Sequence, residues 1–136
     1  MKKVFLDTNV VVDYYLDREG FSSDAEAILA YGYNQQCSLF VSSLTCANLA
    51  YIARKTFPGK AIYSVLSTLL EMVEVASVDS DVVKSAVALQ AKDFEDAIQY
   101  FSAKSIGADC ILTRNVKDFP FPGLPVITPQ EFLNQI

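Results

Sequence analysis

The sequence predicts an α/β fold: one domain over residues 1–136, built on a mostly parallel sheet of about five strands flanked by helices. Three observations carry that prediction. Short apolar runs alternate with stretches of helical spacing along the whole chain, the pattern of repeated strand–helix units. The strongest runs, in KVFL and SLFVS, are apolar without a break, as strands buried on both faces are. A chain of 136 residues, 51% apolar, fits one sizeable core, and no repeat or low-complexity linker divides it.

Taken in order, KVFL (3–6) reads as the first buried strand. TNVVVDYYLD (8–17) suits a helix, and REGFSS (18–23) a turn. SDAEAILAYGYNQQ (23–36) is helical, with Ser23 and Glu26 at capping-box spacing. SLFVS (38–42) is the second buried strand. A helix then starts at Ser43 or Thr45 and runs through CANLAYIARK, stopped by Pro58-Gly59. Ile62, Val65, Leu66, Leu69, Leu70 and Val73 have the spacing of an amphipathic helix. VEVA (73–76) is a short, weaker strand. Helices follow over roughly 81–91 and 94–105, the second closed by Gly107 as its C-terminal cap. DCILT (109–113) is a further buried strand, and the prolines of RNVKDFPFPG (114–123) preclude regular structure. PVIT (125–128) is the last strand, after which Thr128, Pro129 and Glu131 stand at the N-cap, N1 and N3 of a closing helix.

Composition excludes several kinds of chemistry. There is no histidine, which removes Ser-His and Cys-His catalysis and the commonest transition-metal ligand. Cys37, Cys46 and Cys110 are odd in number and widely spaced, so they suit neither a disulfide framework nor a structural zinc site and read as small buried apolar groups. No glycine-rich phosphate-binding loop is present. No apolar run approaches the roughly 20 residues that span a bilayer, and Asp7 follows the opening lysines too closely for a signal peptide, so a soluble, cytoplasmic protein with no membrane association is expected. The net charge of −5 and pI near 4.6 do not suit a general nucleic-acid coat; a role with nucleic acid would be local and would use cations.

Chemistry therefore falls to carboxylates. In open parallel sheets, ligands bind outside the carboxyl ends of the strands. Asp7 stands at that end of the first strand; Thr113, Arg114, Asn115 and Asp118 follow the DCILT strand at the same edge; Asp96 lies in the first turn of the helix that feeds it. Crowded carboxylates repel unless a cation neutralises them, and a hard divalent ion such as Mg²⁺ takes such oxygen ligands together with water and substrate phosphate. The pattern points to metal-dependent phosphoryl transfer. Each acid also has a purely structural reading. Asp7, Thr8 or Asn9 can cap the first helix, Asp93 and Asp96 have N-cap and N3 spacing, and Asp118 can sit in a turn. Asp13, Asp17, Glu19 and Glu71 read as solvated surface.

Four segments, FLDTNVVVDYY, VSSLTCANLAYIARK, DFEDAIQYFSAKSIGADCILTRNVKDF and GLPVITPQEFL, together resemble a PIN domain, similar to bacterial VapC-type toxin ribonucleases, over almost the whole chain. The resemblance implies a Rossmann-like parallel sheet, an acidic cluster at one sheet edge, and Mg²⁺- or Mn²⁺-dependent cleavage of single-stranded RNA by in-line attack of water. It implies Asp7, Asp96 and Asp118 as catalytic metal ligands, with Asn115 paired to Asp118, and Thr8, Asn9 and Thr113 as polar positioning residues. It also implies a small antitoxin protein as partner, and a homodimer. One position departs from the family pattern: where a glutamate is usual, this chain has Asn48, which can ligate but brings no charge and cannot act as a base. Asp93, a turn from Asp96, is the nearest source of compensation.

Around this site, Arg54, Lys55, Arg114 and Lys117 are candidates for phosphate contacts, although exposed basic residues are commonly just solvated. Tyr51 is either a base-stacking platform or a core aromatic. Two other functions stay open. Asn48 supports a catalytically silent PIN module that binds RNA or a protein. FLDTN also resembles the haloacid-dehalogenase phosphatase motif, which requires a second aspartate where this chain has Asn9.

Overall fold

A computed structural model describes residues 1–136. Five strands, β1 (Lys3–Leu6), β2 (Ser38–Ser42), β3 (Glu74–Ala76), β4 (Cys110–Leu112) and β5 (Val126–Ile127), form one sheet in the order β3-β2-β1-β4-β5. Every neighbouring pair is parallel. Seven helices flank it: α1 (Thr8–Tyr15), α2 (Ser22–Tyr33), α3 (Ser43–Ile52), α4 (Ala61–Met72), α5 (Ser80–Leu89), α6 (Phe94–Ser105) and α7 (Pro129–Asn134). No helix is long and apolar enough to cross a membrane.

Side-chain alternation along the strands feeds two cores, one on each face of the sheet. Val4, Leu6, Leu39, Val41, Cys110 and Leu112 join the larger core with α1, α2, α4 and α7. Phe5, Phe40 and Ile111 point the other way, against Tyr100 and Ala103 of α6. This explains why β1 and β2 were legible as unbroken apolar runs: a helix layer covers each face. On α2, Gly32 sits so close to β2 that a Cβ would lie 2.3 Å from Leu39 Cδ1. A larger residue there would force the Leu39 side chain to shift.

Several local expectations hold. α3 starts at Ser43, the first of the two starts expected, with Ser42 as its cap, and Asp93 caps α6 through the Asp96 amide. Gly107 takes φ +68° just past α6, and Thr128 with Glu131 forms the full capping box of α7. Cys37 and Cys110 are buried, and no cysteine is in a disulfide.

Others do not hold. The Ser23–Glu26 capping box does not form; Phe21 and Ser22 amides both bond to the Arg18 carbonyl, so the chain enters α2 a residue early, with Phe21 at the cap. α1 ends at Tyr15, and Asp17 adopts a positive φ of 49° in the turn. α3 ends at Ile52, short of the expected Arg54–Lys55, and the Tyr51 carbonyl in its last turn accepts from the Arg54 amide (3.4 Å) and from Arg54 Nη1 (2.6 Å). In the proline-rich loop, Val116–Asp118 makes one turn of 3₁₀ helix, ahead of both loop prolines.

The strand order sets the position of the site. The chain walks outward from β1 to β3, then crosses to β4 on the other side of β1. The carboxyl ends of β1 and β4 therefore flank the reversal of strand order, where a crevice opens.

Candidate active site

β1 ends by delivering Asp7 to that crevice. The Asp7 amide donates to the Leu112 carbonyl of β4 (2.9 Å), which fixes the turn out of the strand. The side chain then does two jobs. Its Oδ1 accepts from the Thr8 amide at 2.9 Å, capping α1, and from Gln99 Nε2 at 3.2 Å; its Oδ2 accepts from Thr113 Oγ1 at 2.9 Å. The carboxylate is only 7% exposed, and burial pushes its pKa up, with the bonds from Thr113, Gln99 and Thr8 opposing that rise. Every donor to it is neutral.

α6 brings the second acid. Asp96 is half-buried in its first turn, and its carboxyl is pushed up to about 7, first by burial and then by the charges of Asp93, Asp7, Asp118 and Glu95. The short turn after β4 supplies Asp118, which is exposed. Asp7, Asp96, Asp118, Asn9, Asn48 and Asn115 all line one open cavity of about 390 Å³. Asp93, Glu95 and Tyr51 complete its rim, and no lysine or arginine faces into it. Tyr51 is 66% exposed, so it is a rim aromatic and not part of the core.

Thr113 lies beneath the cavity and not in its wall. Fully buried, it donates to Asp7 and accepts from Asn9 Nδ2 (3.3 Å) and the Asn115 amide (3.1 Å), tying three of the expected polar residues together. The cationic residues are placed elsewhere. Arg114 turns away from the cavity: its Nε lies 3.2 Å from Asp13 Oδ2 and its guanidinium stacks 4.4 Å from the Phe21 ring. Lys117 lines a separate depression beside Asp93 and Asp118. Arg54 stacks on Tyr51 at 3.9 Å, and Lys55 is not among the lining residues.

Two residues are not where sequence reasoning put them. Asp13, expected at the surface, is 2% exposed, because α1 carries it on the same flank as buried Val10 and Arg114 and Arg18 supply counter-charges. Gln99 was not singled out at all, yet its amide reaches Asp7, Thr8 and Thr45. The available signal was a polar side chain among the apolar and small residues Ala97, Ile98, Tyr100 and Ala103 of α6.

The donor set tests whether a metal ion fits. It is all oxygen, rich in carboxylate and free of facing basic groups, the composition a hard divalent cation takes. The rise at Asp96 comes first from burial and then from the neighbouring acids, with no cation opposing it. The acids nevertheless stand apart, with no three acidic or cysteine side chains grouped closely enough to hold one ion in common. The chemistry fits a cation, and the spacing leaves room for water among its ligands.

The family model described as PIN domain matches residues 3–117. The chain belongs to the PIN domain family. This PIN domain is 32% identical over 139 aligned positions to Ribonuclease VapC1 of Aquifex aeolicus (strain VF5), covering 96% of this chain and 93% of that protein. Among solved structures it is similar to a chain of a toxin–antitoxin complex from Klebsiella pneumoniae (TM-score 0.68, 26% identity, 93% of this chain and 97% of that one). The PIN fold is also shared with a chain of DNA-bound VapBC from Salmonella typhimurium (TM-score 0.69, 20% identity, 95% and 99% covered). Within this PIN domain, Asn48 lines the acidic cavity from α3.

Proposed function

We propose that this chain is a divalent-metal-dependent endoribonuclease cleaving single-stranded RNA, the toxin of a toxin–antitoxin pair, with residues 1–136 forming one PIN domain. The observation that carries the reading is the shared acidic cavity: Asp7, Asp96 and Asp118 come from three distant segments to one opening with no facing base. The likeness to a protein named as a ribonuclease, and to chains of toxin–antitoxin complexes, supports the same assignment. On it, the protein works in the cytoplasm, a small antitoxin protein is the partner, and the chain forms a homodimer.

Asp7, Asp96 and Asp118 would hold Mg²⁺ or Mn²⁺ with water completing the ligand set, since the three do not close on one ion by themselves; the ion when bound offsets charge building on phosphate oxygens and acidifies water. The chain's own residues do the rest. Thr113 and Gln99 hold the Asp7 carboxylate in a single orientation. Asn9, Asn48 and Asn115 present amides to water or phosphate oxygens. Tyr51 offers an exposed ring at the rim on which a base can stack, its orientation steadied by Arg54. Phosphate contact by Arg114 has no support from its position, since Asp13 engages it; Lys117 serves an incoming strand only from the neighbouring depression.

The test is incubation of the purified chain with a panel of single-stranded RNAs in Mg²⁺, Mn²⁺ or EDTA, beside Asp7→Asn. Metal-dependent cleavage lost in the variant is the expected result. A second reading, an RNA-binding PIN module without cleavage, is favoured by Asn48 and by the spread of the acids. RNA bound but uncut in every condition would establish that reading instead.

A further inference from the structure

Gln99 is 2% exposed, an amide placed under the floor of the cavity. α6 carries Asp96 and Gln99 three residues apart, on one face, so the helix that sets the acid at the wall sets the amide below it. Nε2 lies 3.2 Å from Asp7 Oδ1, 3.1 Å from Thr8 Oγ1 and 2.9 Å from Thr45 Oγ1. An amide nitrogen carries two hydrogens, so these three acceptors share them.

The other end of the amide is held as well. Ser42 Oγ donates to Gln99 Oε1 while accepting from the Thr45 amide. Those bonds set the polarity of the side chain. A flipped amide would turn its oxygen toward the Asp7 carboxylate and leave Ser42 facing a donor. Thr113, arriving from the strand end on the other side, grips Oδ2 at 2.9 Å. The two carboxylate oxygens are thus held from opposite flanks, by β4 and by α6. The exposed acid Asp118 makes no side-chain hydrogen bond of this kind.

We propose that Gln99 is a positioning residue: by donating to Oδ1 it fixes the orientation of the Asp7 carboxylate toward the cavity, and so the metal-dependent cleavage assigned to that cavity, on which the inference rests. A buried amide costs free energy unless both of its ends are paired, and here both are, with the Asp7 carboxylate among the groups it bonds. Its value lies in the carboxylate it aims. Groups that orient a metal ligand typically change metal affinity or activity by about 10–100-fold when removed.

The experiment measures Mn²⁺ affinity by electron paramagnetic resonance for the wild type, Asp7→Asn, Gln99→Met, and the double variant, together with kcat and KM on single-stranded RNA. Gln99→Met is expected to weaken Mn²⁺ binding about tenfold and lower kcat by about 10–100-fold, with KM for RNA unchanged. In the Asp7→Asn background it should cause no further loss, because it acts through Asp7. Wild-type affinity in Gln99→Met, beside loss in Asp7→Asn, would overturn the inference and leave the active-site reading standing. Equal losses in both backgrounds would overturn it too, marking a general scaffold role. Wild-type affinity in Asp7→Asn would bring down the active-site reading and this inference with it. Gln99→Leu serves if the Met variant does not fold. On the unmodified chain, the Gln99 side-chain ¹H–¹⁵N signals are expected to shift on adding Mg²⁺, and their failure to move would count against the proposal.

Discussion

Two buried aspartates, six residues apart on one helix and its cap, meet opposite fates. Asp13 lies between Arg114 and Arg18, at 3.2 and 3.5 Å, so its charge is answered inside the chain. Burial still pushes its pKa up, with Arg114 and then Arg18 pulling it down. Asp7 is held by neutral hydroxyl and amide donors, with further acids around it and no cation. The first has its charge paired within the chain, although Asp13 Oδ1 and Arg114 Nε make no hydrogen bond there. The second is a carboxyl raised by burial and met only by neutral donors and other acids, which is the physical profile of a site built for a cation.

Removing each acid would break that contrast most sharply. Asp7→Asn is expected to lower RNA cleavage on the order of 10³-fold, equivalent to losing several kcal/mol of charge stabilisation. Thermal melts in EDTA should show its Tm equal to or above wild type, since an unanswered buried charge has been removed. An Asp7→Asn variant that cleaves like wild type would erase the distinction. Asp13→Asn should do the reverse: activity retained, with stability lower by about 2 kcal/mol in urea unfolding. That lies between a surface pair and a fully buried one, since both arginines are partly exposed.

Charge can also be added. Asn48→Glu places a carboxylate in the cavity wall and is expected to raise Mn²⁺ affinity about tenfold, the effect of roughly 1.4 kcal/mol, as read by titration calorimetry. Unchanged affinity would mean that position 48 does not face the ion.

The smallest expected effect is on pH dependence. Asp96 is raised from 3.8 to about 7 in the folded chain, so between those values the folded state binds more protons than the unfolded one. Stability from this group is therefore greatest at low pH and is lost as pH rises through about 7; Asp7, also raised, contributes with the same sign. In EDTA, Tm should fall by a few degrees between pH 5 and pH 7.5, and Mn²⁺ should restore more of it at pH 7.5 than at pH 5. A metal effect independent of pH would show that the ion does not relieve the crowding.

Sequence reasoning read these regions unevenly, for physical reasons. β1 and β2 were legible to the residue because helices cover both faces of the sheet. Parallel-sheet topology put Asp7 and Asp118 at one sheet edge, whereas the place of Asp96 depended on how α6 packs. The resemblance added the roles. Asp13 was misread because its partner Arg114 follows β4, next to β1 in the sheet but distant in sequence, and nothing in TNVVVDYY announces it. The same contact explains why Arg114 does not face the cavity. Gln99 stayed hidden because an amide's worth depends on three neighbours that only folding supplies.

The first strand made is the central strand of the sheet. Val4 pairs with Leu39 on one side and Cys110 on the other, and Asp7 is gripped by partners 92 and 106 residues downstream. A chain emerging from the ribosome therefore carries Asp7 long before anything can aim it. Contacts so distant in sequence form late, after the intervening loops have closed. Until residue 118 has been translated, the cavity lacks Asp118 and the turn that carries it. The wiring of the sheet thus puts off completion of the site until β4 and the turn after it have been made.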